Sequence, residues 1–453
     1  MTVVRDDVEV RDGEPVSVQL LFTRHGPVIH LDIANNRAFA VRAAWLEPGM
    51  APYLGSMDYM RAQDPDAFVS AMNRWGAPGE NQVYAAPDGT IGWRPAGVVP
   101  IRPNWDGTLP VPGDGRYEWA GFYDVDQLPD VRNPESGWFS TANEMNLPAG
   151  YPNDERTVSY DWYPSVRQER LTEALSQHSD WTVEGCVQLQ TDYLSIPARR
   201  IVSALQSFRS DDARAAEAAN LLVSWDCRLT QDSAPAALFE IWYRRHLRPA
   251  LLTAALSHVV PQAELAEALA RILPVEDLAA DSRVDLELLL DPGTRLGPDP
   301  STVISELLSR SLASALVEVE ERLGTDRGAW SWGALHRARP RHPQASLLGE
   351  EHVGWTSVGP VPRGGSGDTV GSTAYTPDFV QSGGATFRLV VDVGDWDKSV
   401  FMNSPGQSGV PDSPHYRDLF EAWGNDAAFP LLYSREAVVE NTGHRIVLRP
   451  PPT

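Results

Sequence analysis

Asn81-Gln-Val-Tyr-Ala-Ala-Pro-Asp-Gly-Thr-Ile-Gly-Trp93 is the stretch from which the fold can be worked outward. Two short runs, Gln82-Val-Tyr-Ala85 and Thr90-Ile-Gly-Trp93, flank Ala86-Pro-Asp-Gly89. Proline presets φ for a tight turn and glycine accepts positive φ, so the segment predicts a β-hairpin. Upstream, Val16 to Thr23 and Ala38 to Trp45 are apolar and rich in β-formers, and read as strands. Downstream, from Val98 to about Asn153, the chain is dense in Pro, Gly, Trp and Asn without periodicity. The aromatic content of that stretch predicts an ordered loop system rather than a linker.

The middle of the chain changes period. Thr182 to Leu194, Ile196 to Phe208, Asp211 to Ser224, Ala234 to Leu256, Ala263 to Leu273 and Ile304 to Leu323 repeat apolar residues every three or four positions, which predicts helices. Ser179-Asp-Trp-Thr182 and Ser210-Asp-Asp212 supply side-chain acceptors for free amides at two helix starts. The last quarter returns to strands, with Thr386 to Val393 the strongest. Strands, a helical block and strands again imply an α+β fold whose two ends meet in one sheet system. The expected division is 1–165 (β-rich, with the long loops), 166–325 (helical lobe) and 326–453 (C-terminal strands).

Composition narrows the function. The chain has 453 residues, 42% hydrophobic and 22% charged, enough to bury a large core. Its formal charge of −23, with no basic stripe, repels phosphate backbones, so nucleic acid is excluded as a partner. No run approaches the roughly 18 apolar residues of a membrane span. Residues 1–12 lack the basic start and apolar stretch of a signal peptide, so no export route is encoded in the chain as written and localisation stays open. Cys186 and Cys227 lie in helical-looking segments without metal-ligand spacing; a zinc site is excluded, and buried thiols or a disulfide between them remain. None of the ten histidines pairs with another at ligand spacing, and His25, His336, His342 and His415 read as turn or cap residues. G-x-S-x-G, G-x-x-x-x-G-K-[ST] and H-E-x-x-H are all absent.

An ordered set of short strings says more. Thr23-Arg-His-Gly-Pro-Val-Ile29 is followed by the Asn81–Trp93 stretch, Val99-Pro-Ile-Arg102, Trp105-Asp-Gly107 and Thr141-Ala-Asn143. Pro362-Arg-Gly-Gly365, Asp395-Trp-Asp397, Pro405-Gly-Gln-Ser-Gly409 and Ser413-Pro-His-Tyr416 come after them. Order and spacing resemble the penicillin acylase (penicillin amidase) family from about Val8 to the end of the chain. Any one string is weak; together and in order they are hard to produce by chance.

The resemblance implies the αββα sandwich of N-terminal-nucleophile hydrolases, truncated, with a helical lobe from about Trp181 to Gly324. It implies hydrolysis of a linear amide by an N-terminal serine whose own α-amine is the base, workable because an α-amine has a pKa of about 8. The family's side-chain oxyanion donor falls on Asn81, which otherwise would read as a strand-opening asparagine. A family arginine falls on Arg102, where its fork of donors would hold either Asn81 or a substrate carboxylate. His25 and the Gly406-Gln-Ser-Gly409 turn read as structural.

Departures matter as well. The family's Tyr-Ala-Asp is Tyr84-Ala-Ala86 here, so a carboxylate is missing unless Asp88 substitutes. The glutamate that supports a histidine in the cephalosporin-acylating branch falls on Ala385. Calcium, bound by some members through segments upstream, is not assigned, and no cofactor is implied. Only 24 residues precede His25, so the α-segment and the nucleophile are expected to lie outside this chain. Ser56 follows Gly55 like a cleavage junction, but cleavage there would sever the sheet.

The leading expectation is therefore an acylase chain acting on a small acyl amide with an upstream nucleophile-bearing segment, inactive alone. A non-catalytic remnant or subunit that keeps the scaffold is the second reading. A carbohydrate-active protein, suggested by 15 Trp and by Asp395 and Asp397, is the third.

Overall fold

The computed structural model describes residues 1–50, 54–272, 282–345, 347 and 349–450. They fall into two compact units: Met1–Thr141 with Met145–Trp162, and Ala142–Glu144 with Tyr163–Thr453.

In the first unit, β1 (Thr2–Val8), β2 (Val16–Thr23), β3 (Gly26–Asp32) and β4 (Arg37–Ala40) form an antiparallel sheet in chain order. The β2–β3 turn needs Gly26: its φ is 129°, and a Cβ there would collide with the Val41 carbonyl. The strand expected over Ala38 to Trp45 stops at Ala40, where Arg42 leaves the ladder to pair with Glu118 at 2.9 Å and Glu47 at 3.5 Å; Ala44–Leu46 is a 3₁₀ turn. No residue of these four strands is buried, and Val4, Val8, Leu20, Ile29 and Leu31 are exposed.

The expected hairpin is present. β5 (Glu80–Ala85) pairs with β6 (Ile91–Ala96), from Glu80 opposite Ala96 to Ala85 opposite Ile91. At its tip Gly89 has φ of 90°, the Ala86 amide donates to the Thr90 carbonyl at 2.8 Å, and Asp88 accepts the Thr90 amide at 2.8 Å. β7 (Val131–Arg132) adds to β6. Beside the hairpin, Met72, Trp75, Ala96 and Val125 form a small core. Phe68 and Val69 of an unexpected helix, Pro65–Ala71, pack against it; Asp64 starts that helix by capping the Ala67 amide, with proline next in line. The aromatic-rich loop is ordered by its own backbone: Ile101 donates to Gly121, Ala120 to Ile101, and Tyr123 to Val99, at 2.9–3.0 Å.

The second unit is built on helices. Val183–Gln190, Ile196–Leu205, Ala213–Val223 and Pro300–Leu323 begin and end within four residues of their expected bounds. Leu265–Ile272 matches the fifth, whose expected end at Leu273 lies outside the described residues. Leu308, Leu312, Ala315, Leu316 and Val319 of the longest helix pack on Ala215, Ala218, Ala219 and Leu222, whose small side chains allow a close approach. The single helix expected over Ala234 to Leu256 is instead Ala234–Ile241, a π turn at Trp242–Leu247, and Arg248–Leu256. Pro249 has no N–H to give the carbonyl four residues back, and the ladder widens there.

Three further expectations change. Thr386 to Val393 pairs only over Arg388–Val390, because the Asp392 carboxylate takes the Gly394 and Asp395 amides and turns the chain out of the strand. Among the described residues no strand ladder joins the two ends of the chain: β10 (Arg388–Val390) joins β11 (Val400–Met402) and β12 (Phe429–Pro430), while β8 (Arg337–Ala338) and β9 (Val361–Pro362) pair separately. Cys227 lies beyond its helix at φ of 61°; it and Cys186 are free thiols, and burial pushes the Cys227 thiol up to about 11.

Candidate functional site

Asn81 stands on β5 directly opposite Pro95 of β6 and is exposed. Trp93, two residues before Pro95, projects from the same face of the hairpin, since side chains two apart share a face. It is 1% exposed and stacked on Phe139 with ring centroids 5.0 Å apart. Its Nε1–H donates to Asn81 Oδ1 at 2.7 Å, and Asn146 Nδ2 donates to the same oxygen at 3.1 Å. An indole nitrogen can only donate, so the Asn81 atom it meets must be the oxygen; the orientation of the amide is thereby fixed. Its Nδ2 has no hydrogen-bond acceptor among the described residues. These three residues line a cavity of about 260 Å³ together with Glu80, Ser159 and apolar residues that include Leu147, Val158 and Trp162. One amide donor thus stands free at the edge of a largely apolar hollow, an arrangement able to hold a developing negative oxygen.

Arg102 lies elsewhere in the same unit. It makes no hydrogen bond to Asn81; the Asn81 carbonyl is held by Trp93 and Asn146 instead. Its guanidinium carbon sits 5.7 Å from the ring centres of both Trp105 and Trp119, and its Nε is buried without a partner. Burial lowers its pKa, opposed by Asp106 and Tyr123.

Other sequence landmarks have local work. His25 Nε2 meets Glu118 at 2.7 Å, beside Arg24 and Arg42 at 3.0 and 2.9 Å. The His25 hydrogen bond, with the charges of His25, Arg24 and Arg42, holds the Glu118 carboxyl below its usual range. Asp88 is spent on capping the hairpin tip, and the Thr90 amide and hydroxyl lower its pKa. Ser56 opens a short helix, Ser56–Tyr59, rather than a strand. The amides of Gln407 and Ser408 donate to the His415 carbonyl at 2.8 and 3.0 Å, closing the Gly406–Gly409 turn. Asp395 pairs with Lys398 at 3.2 Å, and Asp397 accepts the Tyr433 and Ser434 amides at 2.7 and 2.9 Å. A hydrogen bond from the Ser434 side chain, with those from the Ser434 and Tyr433 amides, lowers the Asp397 pKa, the reverse of what a glycoside-cleaving acid requires.

In the second unit several buried polar residues are paired with one another. Arg363 and Arg388 share Asp426 Oδ1 at 3.2 and 2.8 Å while Tyr193 donates to its other oxygen. Around the π turn, Arg244 pairs with Asp368 at 2.9 Å, and Tyr243 and Arg248 converge on Asp285 at 2.7 and 2.6 Å. Tyr375 bonds Glu240, whose carboxyl burial pushes up to about 7 against the opposing charge of Arg244. A cavity of about 610 Å³ lined by Arg170, Asp192, Trp181 and Tyr193 contains neither Asn81 nor Arg102. Among the described residues no three His, Cys, Asp or Glu side chains gather to hold a metal ion, and no helix is long and apolar enough to cross a membrane.

Sequence reasoning reached Asn81 but missed its two holders. Trp93 carried a signal, because a two-residue offset across the hairpin register puts it within reach of Asn81. Asn146, 65 residues away in an aperiodic loop, carried none.

Comparison with known proteins bears on the family and the fold. The acyl-homoserine lactone acylase QuiP of Pseudomonas aeruginosa is 29% identical over 93% of this chain and 54% of its own length. The penicillin acylase 2 proenzyme of Pseudomonas sp. strain SE83 is 29% identical over 96% of this chain and 54% of its own length. The chain thus spans about half the length of these curated relatives. A solved structure, a thermostable penicillin G acylase from Alcaligenes faecalis, superposes over all of this chain and 82% of its own with a TM-score of 0.67 at 20% identity, which establishes the shared fold, that of an N-terminal-nucleophile hydrolase. The penicillin amidase family model matches residues 1–440, and the chain belongs to that family.

Proposed function

We propose that this chain supplies the scaffold and the side-chain oxyanion donor, Asn81, of a penicillin acylase-like amide hydrolase. The nucleophilic serine and its α-amine come from a segment outside these residues. The serine hydroxyl attacks the amide carbonyl, the α-amine takes its proton, and the carbonyl oxygen becomes an oxyanion as the tetrahedral intermediate forms. Asn81 Nδ2 donates to that oxygen without adding a charge that would have to be desolvated. Collapse then breaks the C–N bond as the α-ammonium returns its proton to the leaving amine, and water, deprotonated by the same α-amine, releases the acyl group from the serine as a carboxylic acid. The printed names of the relatives make N-acyl-homoserine lactones and penicillins the substrates to test first.

The observation that carries this reading is the free Nδ2 of Asn81 beside an apolar cavity, with its carbonyl already held by two donors. Arg102, with a buried donor lacking a partner, is assigned to a substrate carboxylate. The bare sheet β1–β4 is the surface on which the nucleophile-bearing segment would pack.

The test is amine release from phenylacetyl and fatty-acyl amides by the acylase assembled from this chain and that segment. Turnover is expected there, and Asn81→Ala should lower kcat by about 10²–10³ with little change in KM. Turnover that Asn81→Ala leaves intact rejects the assignment. Release of reducing sugar from glycosides in place of amine would favour the carbohydrate reading.

A further inference from the structure

We infer that Trp93 and Asn146 are positioning residues that hold the Asn81 amide with its NH₂ outward, so that the oxyanion donor is aligned before substrate arrives. The inference rests on Asn81 being the oxyanion donor.

An asparagine at an exposed strand end has two amide orientations related by a half-turn about its last side-chain bond, and they present opposite chemistry. One offers an N–H to an incoming oxyanion; the other offers a carbonyl oxygen, which repels it. Here the choice is made by the neighbours. Trp93 Nε1 lies 2.7 Å from the Asn81 side chain, and an indole has a hydrogen to give and no lone pair to receive with. Asn146 Nδ2 adds a second donor at 3.1 Å to the same atom. Turning the amide over would set its NH₂ against both donors and lose both hydrogen bonds.

The clamp is itself rigid. Trp93 is 1% exposed, sits in β6 inside the paired ladder, and stacks on Phe139 at an interplanar angle of 15°. Its position relative to Asn81 is set by the register, in which Asn81 faces Pro95 and Val83 faces Trp93. The donor is therefore oriented by backbone pairing and a buried ring, not by the substrate, which is the condition under which a hydrogen bond favours the transition state without a reorganisation cost. Arg102, the residue that sequence reasoning considered for holding Asn81, has no part in the clamp.

Trp93→Phe removes the N–H while keeping an aromatic ring over Phe139. In the assembled acylase it is expected to lower kcat roughly 10- to 100-fold with KM changed by less than about threefold, because the lost alignment matters only as charge develops on the oxygen. In an Asn81→Ala background the same change is expected to cost nothing more, since the group it positions is gone. Asn146→Ala removes the longer hydrogen bond from a loop and provides a gentler variant, expected at roughly a two- to fivefold loss of kcat.

A spectroscopic readout on the chain itself separates the clamp from the chemistry. The Trp93 indole N–H should exchange with deuterium at least about tenfold faster in Asn81→Ala than in the wild type. Unchanged kcat in Trp93→Phe, an equal loss in the presence and absence of Asn81, or an indole exchange rate indifferent to Asn81→Ala overturns the inference. Should Asn81→Ala retain full turnover while the indole rate changes as expected, the oxyanion assignment fails and the clamp stands as geometry alone.

Discussion

His336 offers the sharpest test of the interior. It is fully buried, stacked on Trp332 with ring centroids 5.0 Å apart, and its Nδ1–H donates to the Phe379 carbonyl at 3.0 Å. Its Nε2 is buried with no partner, so a proton added there would bring a charge and a donor with nowhere to go. Burial, aided by the nearby Arg363 charge and opposed by the Phe379 hydrogen bond, drops its pKa from 6.5 to about 4. Between those values the unfolded chain carries a proton that the folded chain lacks. Folding stability therefore rises with pH through that window, is fully present above about 6.5, and is lost as pH falls towards 4. At about 1.4 kcal/mol per pH unit the swing is roughly 3 kcal/mol. Glu240 acts oppositely, because its raised pKa withdraws stability as pH climbs from 4.5 to about 7. A wild-type profile alone would mix the two, so the measurement is a difference. His336→Phe keeps a ring over Trp332 and loses the titration. Urea unfolding followed at 222 nm, which reports the helical unit, would be run at half-unit steps from pH 4 to 8 for both proteins. The wild-type minus variant stability should climb by roughly 3 kcal/mol from pH 4 to 6.5 and then level. A flat difference across that range would show that His336 is not held neutral and would refute the reasoning.

Two further perturbations address other joints of the fold. Asp426→Asn keeps the shape and suits the residue's φ of 58°, but strips the charge that Arg363 and Arg388 share; calorimetry should register a loss of roughly 3 kcal/mol, the low end for a broken buried pair because Asp426 is partly exposed. Asp299→Ala removes the acceptor for the Thr302 amide at the start of Pro300–Leu323, and should cost about 1 kcal/mol, read as a lower urea midpoint with an unchanged slope.

What the sequence disclosed depended on whether the deciding forces were local. The Asn81–Trp93 hairpin was legible because Pro87 and Gly89 set their own backbone angles, and the Ala-rich helix at 213–223 because its period and its Asp212 cap are written in neighbouring residues. Val166–Gln177 was not legible. It is polar, and it is anchored by Glu173 to Arg199 at 2.9 Å, Glu169 to Arg200 at 2.7 Å and Arg170 to Asp192 at 2.8 Å, partners that no periodicity announces. The late strand was overestimated because a single aspartate, Asp392, redirects amides that apolar content had assigned to a ladder. At the proposed site, family order pointed to Asn81, but which way its amide faces depends on the hairpin register and on Asn146, a loop residue far along the chain.

The sheet β1–β4 has a consequence for how such a protein can be assembled. Strands with no fully buried residue gain little from the hydrophobic effect by themselves, so a segment that covered them, as proposed above, would stabilise this part in proportion to its availability. A cover joined by a short flexible linker is presented at an effective concentration of about a millimolar, whereas one made as a separate chain must find the sheet at its bulk concentration. Until then the β1 edge offers its unpaired amides and carbonyls to any extended peptide nearby. Continuous synthesis followed by a later cut would bring the cover in before that competition begins; two separate messages would have to win it each time.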